Sequence, residues 1–372
     1  MNLLAVISQH GLGHLAQAAP VLNALRKQQP DLALTIWSGL SPAALHSRID
    51  GAFSHRHEAA DVGLLMHDAM RVDVEASYAA YHAFHTDWPA RVRHEADWLL
   101  KHGFDLVFTD VAYLPLAAAS AAGIPSVALC SLNWSDISQA YLAGMPDMPR
   151  IFEQINTAYA AAGAFLQPTP SMPMLQLACR QAIAPIAAAG CNRRPELNRT
   201  LSLAANSKLV LLGFGGVAYS GKGQLPRIQG VVWLTPDDWS DDAVAARPDR
   251  IAFGRTGFSF LDLLASSDAL ITKVGYGSFV EAAAHAVPVL YLDRPDWPET
   301  PYLANWLIEN GTAAAMDEAS LFSDQLGVAL AALWRLPRKV AIETGGAEQA
   351  VELLVQHHLV QQNSAAHRSA AR

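Results

Sequence analysis

The sequence predicts an α/β protein of more than one domain, and three observations predict it. Short apolar runs of strand length recur in both halves, at residues 3–8, 104–110 and 124–130 and again at 208–213, 268–272 and 286–292. Most of them feed a glycine turn or a small-residue helix, and continuous apolar runs suit parallel strands covered on both faces. At 372 residues the chain is longer than one core usually organises. A hydrophobic share of 51% against a charged share of 16% supplies ample core for two.

A net charge of −8 and a sequence pI of about 5.9 leave no electrostatic footprint for nucleic acid, and they disfavour an anionic membrane surface. Cys130, Cys179 and Cys191 have no metal-like spacing and read as reduced thiols of a cytoplasmic protein. The start lacks a basic segment and its apolar run is too short for a signal peptide. No run reaches the ~18 apolar residues of a membrane span. The expectation is a cytoplasmic protein with no integral membrane segment and no nucleic-acid partner.

Residues 3–8 form the first expected strand. They run into Gln9-His10-Gly11-Leu12-Gly13-His14, after which residues 15–28 show helical spacing. Gly11 and Gly13 free the backbone to turn sharply and keep side chains out of the crevice. The third glycine of the dinucleotide fingerprint and the Lys-Ser/Thr of a P-loop are both missing. Residues 32–38 are a second strand. Residues 60–93 show no strand pattern and read as helices with a mobile loop. The histidines of that part and its flanks (His55, His57, His67, His82, His85, His94) lack zincin-type carboxylate spacing and read as solvated helical side chains. Residues 104–110, 112–122 and 124–130 make a βαβ unit. It sets Asp110 at the carboxyl end of a parallel strand, where open α/β sheets bind ligands. Asn133 and Trp134 follow, the tryptophan reading as core.

Residues 135–203 read as helices followed by a Pro/Met-rich crossing at 167–173. The domains are expected at 1–165 and 205–340, joined by a passage over 166–204. A C-terminal helix over 341–360 and a disordered tail over 361–372 follow. The second domain opens on the strand 208–213, which leads into Gly213-Phe214-Gly215-Gly216, a loop whose amides suit phosphate. Lys222 and Lys273 are possible counter-charges. Strands at 231–234 and 250–253, a helix at 258–266 and a closing segment at 308–315 complete the domain.

The most specific stretch runs from Thr272 to Asn305. A strand ends at Lys273, Gly275 and Gly277 allow a tight turn around Tyr276, and Ser278 is expected to cap the next helix. Glu281 would complete a capping box. A helix start facing a crevice is an anion site. A Pro- and acid-rich loop with Asp293 and Glu299 follows the next strand.

Taken together, these motifs resemble GT-B glycosyltransferases, over roughly residues 1–40, 100–135 and 205–315. K-V-G-Y-G leading into P-E-T-P-Y-L resembles in particular the glycosyltransferase-like part of plant L-arabinokinase and its bacterial relatives. The resemblance implies a GT-B fold, with two doubly wound Rossmann-like domains facing a cleft, acceptor on the first and nucleotide-sugar on the second. It implies an inverting transfer from a nucleoside-diphosphate donor, UDP-linked, to an unidentified acceptor hydroxyl. His14 would be the base and Asp110 its support. The Gly11/Gly13 turn would open the acceptor side. Donor contacts would come from Gly213, Gly215, Gly216, Lys273, Gly275, Tyr276, Gly277, Ser278, Glu281, Asp293 and Glu299. Val217 replaces a polar residue of the family's glycine loop, and Glu299-Thr300 replaces the Asp-Gln pair of plant-type members. No strand presents a DxD-like motif, Asp241-Asp242 reading as surface, so neither metal nor cofactor is expected. Two rivals share the architecture: a nucleotide-sugar epimerase or hydrolase, and a catalytically silent sugar-nucleotide-binding protein. The chain's ending without a kinase domain leans toward a free-standing enzyme.

Overall fold

A computed structural model describes residues 1–216, 219, 224–239 and 247–370, giving the backbone alone for 238 and for 360–370. Val217, Lys222, Asp241 and Asp242 lie outside the described residues. The chain forms two compact units. The first comprises Met1–His67, Arg71–Ile186 and Thr344–Arg372, and the second Asp68–Met70 and Ala187–Glu343. The junction after Ile186 falls within the 166–204 passage.

Unit 1 holds seven strands: β1 Asn2–Ile7, β2 Ala33–Trp37, β3 Ser54–Arg56, β4 Leu106–Asp110, β5 Ser126–Leu129, β6 Ala164–Pro168 and β7 Arg180–Ile183. Their order is β3-β2-β1-β4-β5-β6-β7, and every pairing is parallel. Chain order reverses between β1 and β4, where Ile7 lies opposite Asp110. Strands β6 and β7 are additions within the stretch 135–203, where helices and a crossing were expected. Helical spacing does hold there for Trp134–Leu142 and Met148–Ala160. Beyond them, β6 is buried throughout, and a short buried run cannot be told from a helix by period alone. Strand β3 is a further addition, three polar residues with no apolar signature.

The core of unit 1 packs Leu3, Ala5, Ile7, Phe108, Val127 and Leu129 against Leu15, Ala18, Ala19 and Leu22 of the helix Leu12–Gln28. Ala347, Ala350, Val351 and Leu354 from the helix Gly346–Ala370 join the same cluster, which ties the end of the chain to unit 1. That helix continues to Ala370 through the segment expected to be disordered from 361. Its Ala- and Gln-rich composition favours extension of a turn already packed.

Unit 2 holds β8 Lys208–Gly213, β9 Val231–Thr235, β10 Arg250–Ala252, β11 Ala269–Lys273, β12 Val289–Leu292 and β13 Ala313–Met316. Their order is β10-β9-β8-β11-β12-β13, again all parallel, with the reversal between β8 and β11. Side chains alternate across this sheet. Leu209 and Leu211 enter one apolar cluster with Phe279 and Leu303, and Val210 and Leu212 enter the other with Trp233 and Leu330. Both faces are therefore covered, which explains why the strands read as continuous apolar runs. Among the described residues no helix is long and apolar enough to cross a membrane.

Candidate functional site

Each sheet presents the carboxyl ends of its strands at one reversal of strand order, the place where neighbouring crossovers lie on opposite faces and leave a crevice. The singled-out residues gather at these two places.

In unit 1 the chain leaves β1 through Gly11, whose φ of 82° belongs to the left-handed region that favours glycine. Gly11 is also the N-cap of the helix Leu12–Gln28, with no side chain capping it. A Cβ on Gly13 would meet nothing within 4 Å, so this glycine leaves open space beside the first turn. His14 stands in that turn, 6% exposed, and Asp110 ends the adjacent β4, fully buried. His14 Nδ1–H donates to Asp110 Oδ1 at 2.8 Å. A carboxylate only accepts, so the bond places the proton on Nδ1 and leaves Nε2 as the nitrogen able to take another. Burial pushes the Asp110 carboxyl up, with His14 and Cys130 pulling the other way.

Sequence reasoning missed the groups around this pair. Cys130 Sγ lies 3.7 Å from His14 Nδ1. Gln17, one turn after His14, reaches Cys130 Sγ at 3.8 Å and accepts from the Ser131 amide at 3.0 Å. His14, Asp110 and Cys130 place one ligand atom each within 4.8 Å of one another, the group among the described residues that could hold a metal ion. Trp134, expected as core, is buried, and its ring lies 5.0 Å from His10 and 5.6 Å from His14. Burial lowers the His10 pKa, the Asp61 charge opposing it.

In unit 2 the loop after β8 turns through Gly215 and Gly216 at φ 76° and 77°. Lys273, the last residue of β11, lies over it: a Cβ on Gly215 would be 4.0 Å from Lys273 Cε. Burial lowers the Lys273 pKa to about 8, the Arg294 charge adding to this and Glu299 opposing it. No hydrogen bond or ion pair holds its ammonium among the described residues. The next helix, Tyr276–Ala284, has Gly275 as its N-cap with no side-chain cap, and a Cβ there would meet nothing within 4 Å.

This corrects the expected Ser278 cap. Ser278 falls at the third position of the helix, and Glu281, 1% exposed, sits too far in for a capping box. Tyr276 and Gly277 are buried in the first turn. The glycine lets the backbone enter the helix directly, so the helix starts three residues before the hydroxyl. Of the acidic loop, Asp293 is exposed while Glu299 is buried and accepts from Trp297 Nε1 at 3.4 Å. Arg294, given no role by the sequence, is buried with its guanidinium 4.3 Å from the Trp297 ring.

Solved structures match the chain over nearly its whole length. The spinosyn forosaminyltransferase SpnP matches with a TM-score of 0.59 at 15% identity, over 98% of this chain and 98% of that one. The fold is GT-B. The GT-B architecture also matches the UDP-GlcNAc 2-epimerase of Methanocaldococcus jannaschii, with a TM-score of 0.55 at 12% identity over 96% of this chain and 100% of that one. In sequence the chain is 27% identical over 306 residues to L-arabinokinase of Arabidopsis thaliana. That match covers 81% of this chain and 29% of the relative, so the chain corresponds to under a third of that protein. No family profile matches. The chain thus has a GT-B fold and is distantly similar in sequence to part of L-arabinokinase.

Proposed function

We propose that this GT-B protein is a glycosyltransferase moving a sugar from a nucleoside-diphosphate donor, UDP-linked, to an acceptor hydroxyl, with inversion and without a bound metal. The observation that carries the reading is the 2.8 Å bond from His14 to Asp110 at the open edge of unit 1. A buried carboxylate fixes the ring and its tautomer and stabilises the imidazolium that forms, the division of labour of a His–Asp pair in hydrolases. His14 Nε2 takes the proton of the acceptor hydroxyl as its oxygen bonds to the anomeric carbon. The bond from that carbon to the diphosphate breaks, and the nucleoside diphosphate leaves with the electron pair.

Unit 2 supplies what the leaving group needs. Amides of the Gly213–Gly216 loop, the uncapped start of the helix Tyr276–Ala284 and the Lys273 ammonium are donors and positive charge set in advance of the reaction. Ser278 is proposed to meet the diphosphate, and Glu281, Asp293 and Glu299 are the side chains proposed to hold ribose and sugar. A second reading, a nucleotide-sugar epimerase or hydrolase, has the epimerase likeness behind it. A third, a silent sugar-nucleotide binder, shares the donor site. Both keep nucleotide binding, and neither needs His14 to deprotonate an acceptor.

Thermal unfolding against a panel of nucleoside diphosphates and nucleotide-sugars tests the donor half. A ligand at 100 times its dissociation constant adds about 2.7 kcal/mol, a readable shift. The expected result is a shift with UDP or a UDP-sugar that Lys273→Ala reduces. Folded protein that shifts with no nucleotide would sink the reading.

A further inference from the structure

We propose that unit 1 carries a subsite centred on Asp61 that holds a hydroxyl-rich acceptor, a neutral sugar or polyol. As an acceptor site it rests on the transferase reading; as a binding site it stands on its own geometry. Asp61 lies in the irregular segment between β3 and the helix Val74–His85, where the sequence offers no period and singles out no residue. It is nevertheless 3% exposed. Its Oδ2 accepts from Trp134 Nε1–H at 2.6 Å, while its Oδ1, also buried, has no hydrogen-bond partner. Among the described residues Asp61 forms no ion pair.

A second under-satisfied group stands on the helix Val74–His85. Tyr81 is fully buried, and its hydroxyl has the Ser138 side chain beside it but no partner at full hydrogen-bond geometry. Burial pushes its pKa up, with Ser138 pulling the other way and the Asp61 charge adding to the rise, so the phenol keeps its proton as a donor. The same carboxylate charge acts on His10, Asp110, Tyr113 and Tyr159. Asp61 is thus the charge around which this buried polar cluster is arranged. Trp134 joins the cluster to the dyad, since its indole holds Asp61 and its ring lies beside both His10 and His14. The loop is pinned as well. Gly63 has φ +60°, and a Cβ there would fall 2.0 Å from His10 Nε2, so the imidazole lies directly across the Asp61 segment.

These atoms define a ligand chemistry. A buried carboxylate oxygen and a buried phenol without partners are costly, and folded proteins rarely keep such groups unless something satisfies them. A hydroxyl does both tasks, donating to Asp61 Oδ1 and accepting from Tyr81, and a sugar brings several hydroxyls and a C–H face for Trp134. A flat apolar acceptor would leave both groups unpaired, which is how sites built to bond a hydroxyl reject analogues that lack one. A phosphorylated or carboxylated acceptor would meet the Asp61 charge, which forms no ion pair among the described residues.

Saturation-transfer NMR and calorimetry on the full chain, without nucleotide, test this with myo-inositol and methyl glucoside as neutral probes and ethanolamine and phenol as competitors. The expected result is binding of a neutral probe that falls at least tenfold in both Asp61→Asn and Tyr81→Phe. Tyr81→Phe removes only a hydroxyl, so it keeps the test valid should Asp61→Asn not fold. No binding of either polyol, equal binding by both variants, or preference for ethanolamine or phenol would overturn the proposal. The two readings fail separately. Polyol binding through Asp61 in a protein that binds no nucleotide ends the transferase reading and leaves the subsite. Turnover whose acceptor KM is unmoved in Tyr81→Phe ends the subsite and leaves the transferase.

Discussion

The two units answer the same topological problem in opposite ways. Each reverses strand order once, between β1 and β4 or between β8 and β11, and each sends a helix from that edge with a glycine as its uncapped start. In unit 1 the histidine at that edge is bonded to a carboxylate, His14 to Asp110, with Gln17 bonded to Cys130 and the Ser131 amide beside it, even though other groups nearby, such as Asp61 Oδ1, stay unpaired. In unit 2 the edge keeps a lysine that makes no hydrogen bond or ion pair among the described residues, and burial, opposed by the Glu299 charge, lowers its pKa to about 8. Matched groups hold an orientation, which is what proton transfer needs. An unmatched cation beside free amides holds a standing attraction for an anion. On the proposed function, this difference is the division between base and leaving-group site.

The largest effect expected from breaking the comparison comes from His14→Ala. Loss of a positioned base costs about 10²- to 10⁴-fold in turnover. On the proposed function the UDP-induced thermal shift should stay unchanged, because the proposed donor site lies in unit 2. Equal loss of both in folded protein would show that the units do not divide the work.

Next is a pH effect confined to unit 1. His85 Nδ1–H donates to Gln154 Oε1 at 2.8 Å, and Nε2 accepts from the Tyr113 hydroxyl at 2.9 Å, so both ring nitrogens are satisfied in the neutral form. Burial, with Arg150 and Arg91 adding to it, lowers its pKa to about 4. A folded pKa below the unfolded value of about 6.5 means that stability is fully present above pH ~6.5 and is lost as pH falls toward 4. The loss amounts to roughly 3 kcal/mol. Denaturant titrations between pH 7 and 4 should show that slope, and His85→Gln should flatten it. An equal slope in the variant would assign the acid sensitivity to other groups.

Lys273→Ala comes third. A hydrogen bond to a charged group is worth about 1.5–3 kcal/mol, so diphosphate affinity should fall about 10- to 100-fold. Because the free lysine loses its proton above pH 8 and a bound diphosphate would keep it charged, affinity should also weaken from pH 7 to 9. Lys273→Arg should remove that dependence, since the guanidinium stays protonated. Calorimetry at several pH values reads both, and a flat wild-type profile would detach Lys273 from the anion.

How much of this was legible follows from which groups announce themselves locally. A strand ending in Asp110 and a glycine turn ending in His14 are short sequence patterns, so each residue could be singled out from the chain, and it was the resemblance to GT-B enzymes that implied their pairing. Gln17, Cys130 and Asp61 could not. Their roles depend on which helix face meets which strand, and Asp61 lies in a segment with no period at all. Strand β6 was hidden because a short, fully buried run carries no pattern that a buried helix lacks, and β7, a four-residue strand with two exposed residues, because it has no apolar signature. Arg294 was hidden by composition, since a charged residue among prolines and acids reads as solvent-exposed.

The smallest effect separates a cap from a ligand contact. Ser278 followed by Glu281 has the spacing of a capping box, and a serine cap lost to alanine costs about 0.5–2 kcal/mol. Gly275 is the N-cap instead, and Ser278 makes no hydrogen bond among the described residues. Ser278→Ala should therefore leave the stability of the free protein within about 0.5 kcal/mol of wild type, as exposed substitutions away from such features do. If the hydroxyl serves the donor, the same variant should lose part of the thermal shift that UDP produces. Stability lost without ligand would restore the cap and move the helix start three residues on. Stability kept but shift reduced would place the hydroxyl on the diphosphate, as the uncapped start of this helix suggests. Both quantities come from one pair of melting curves.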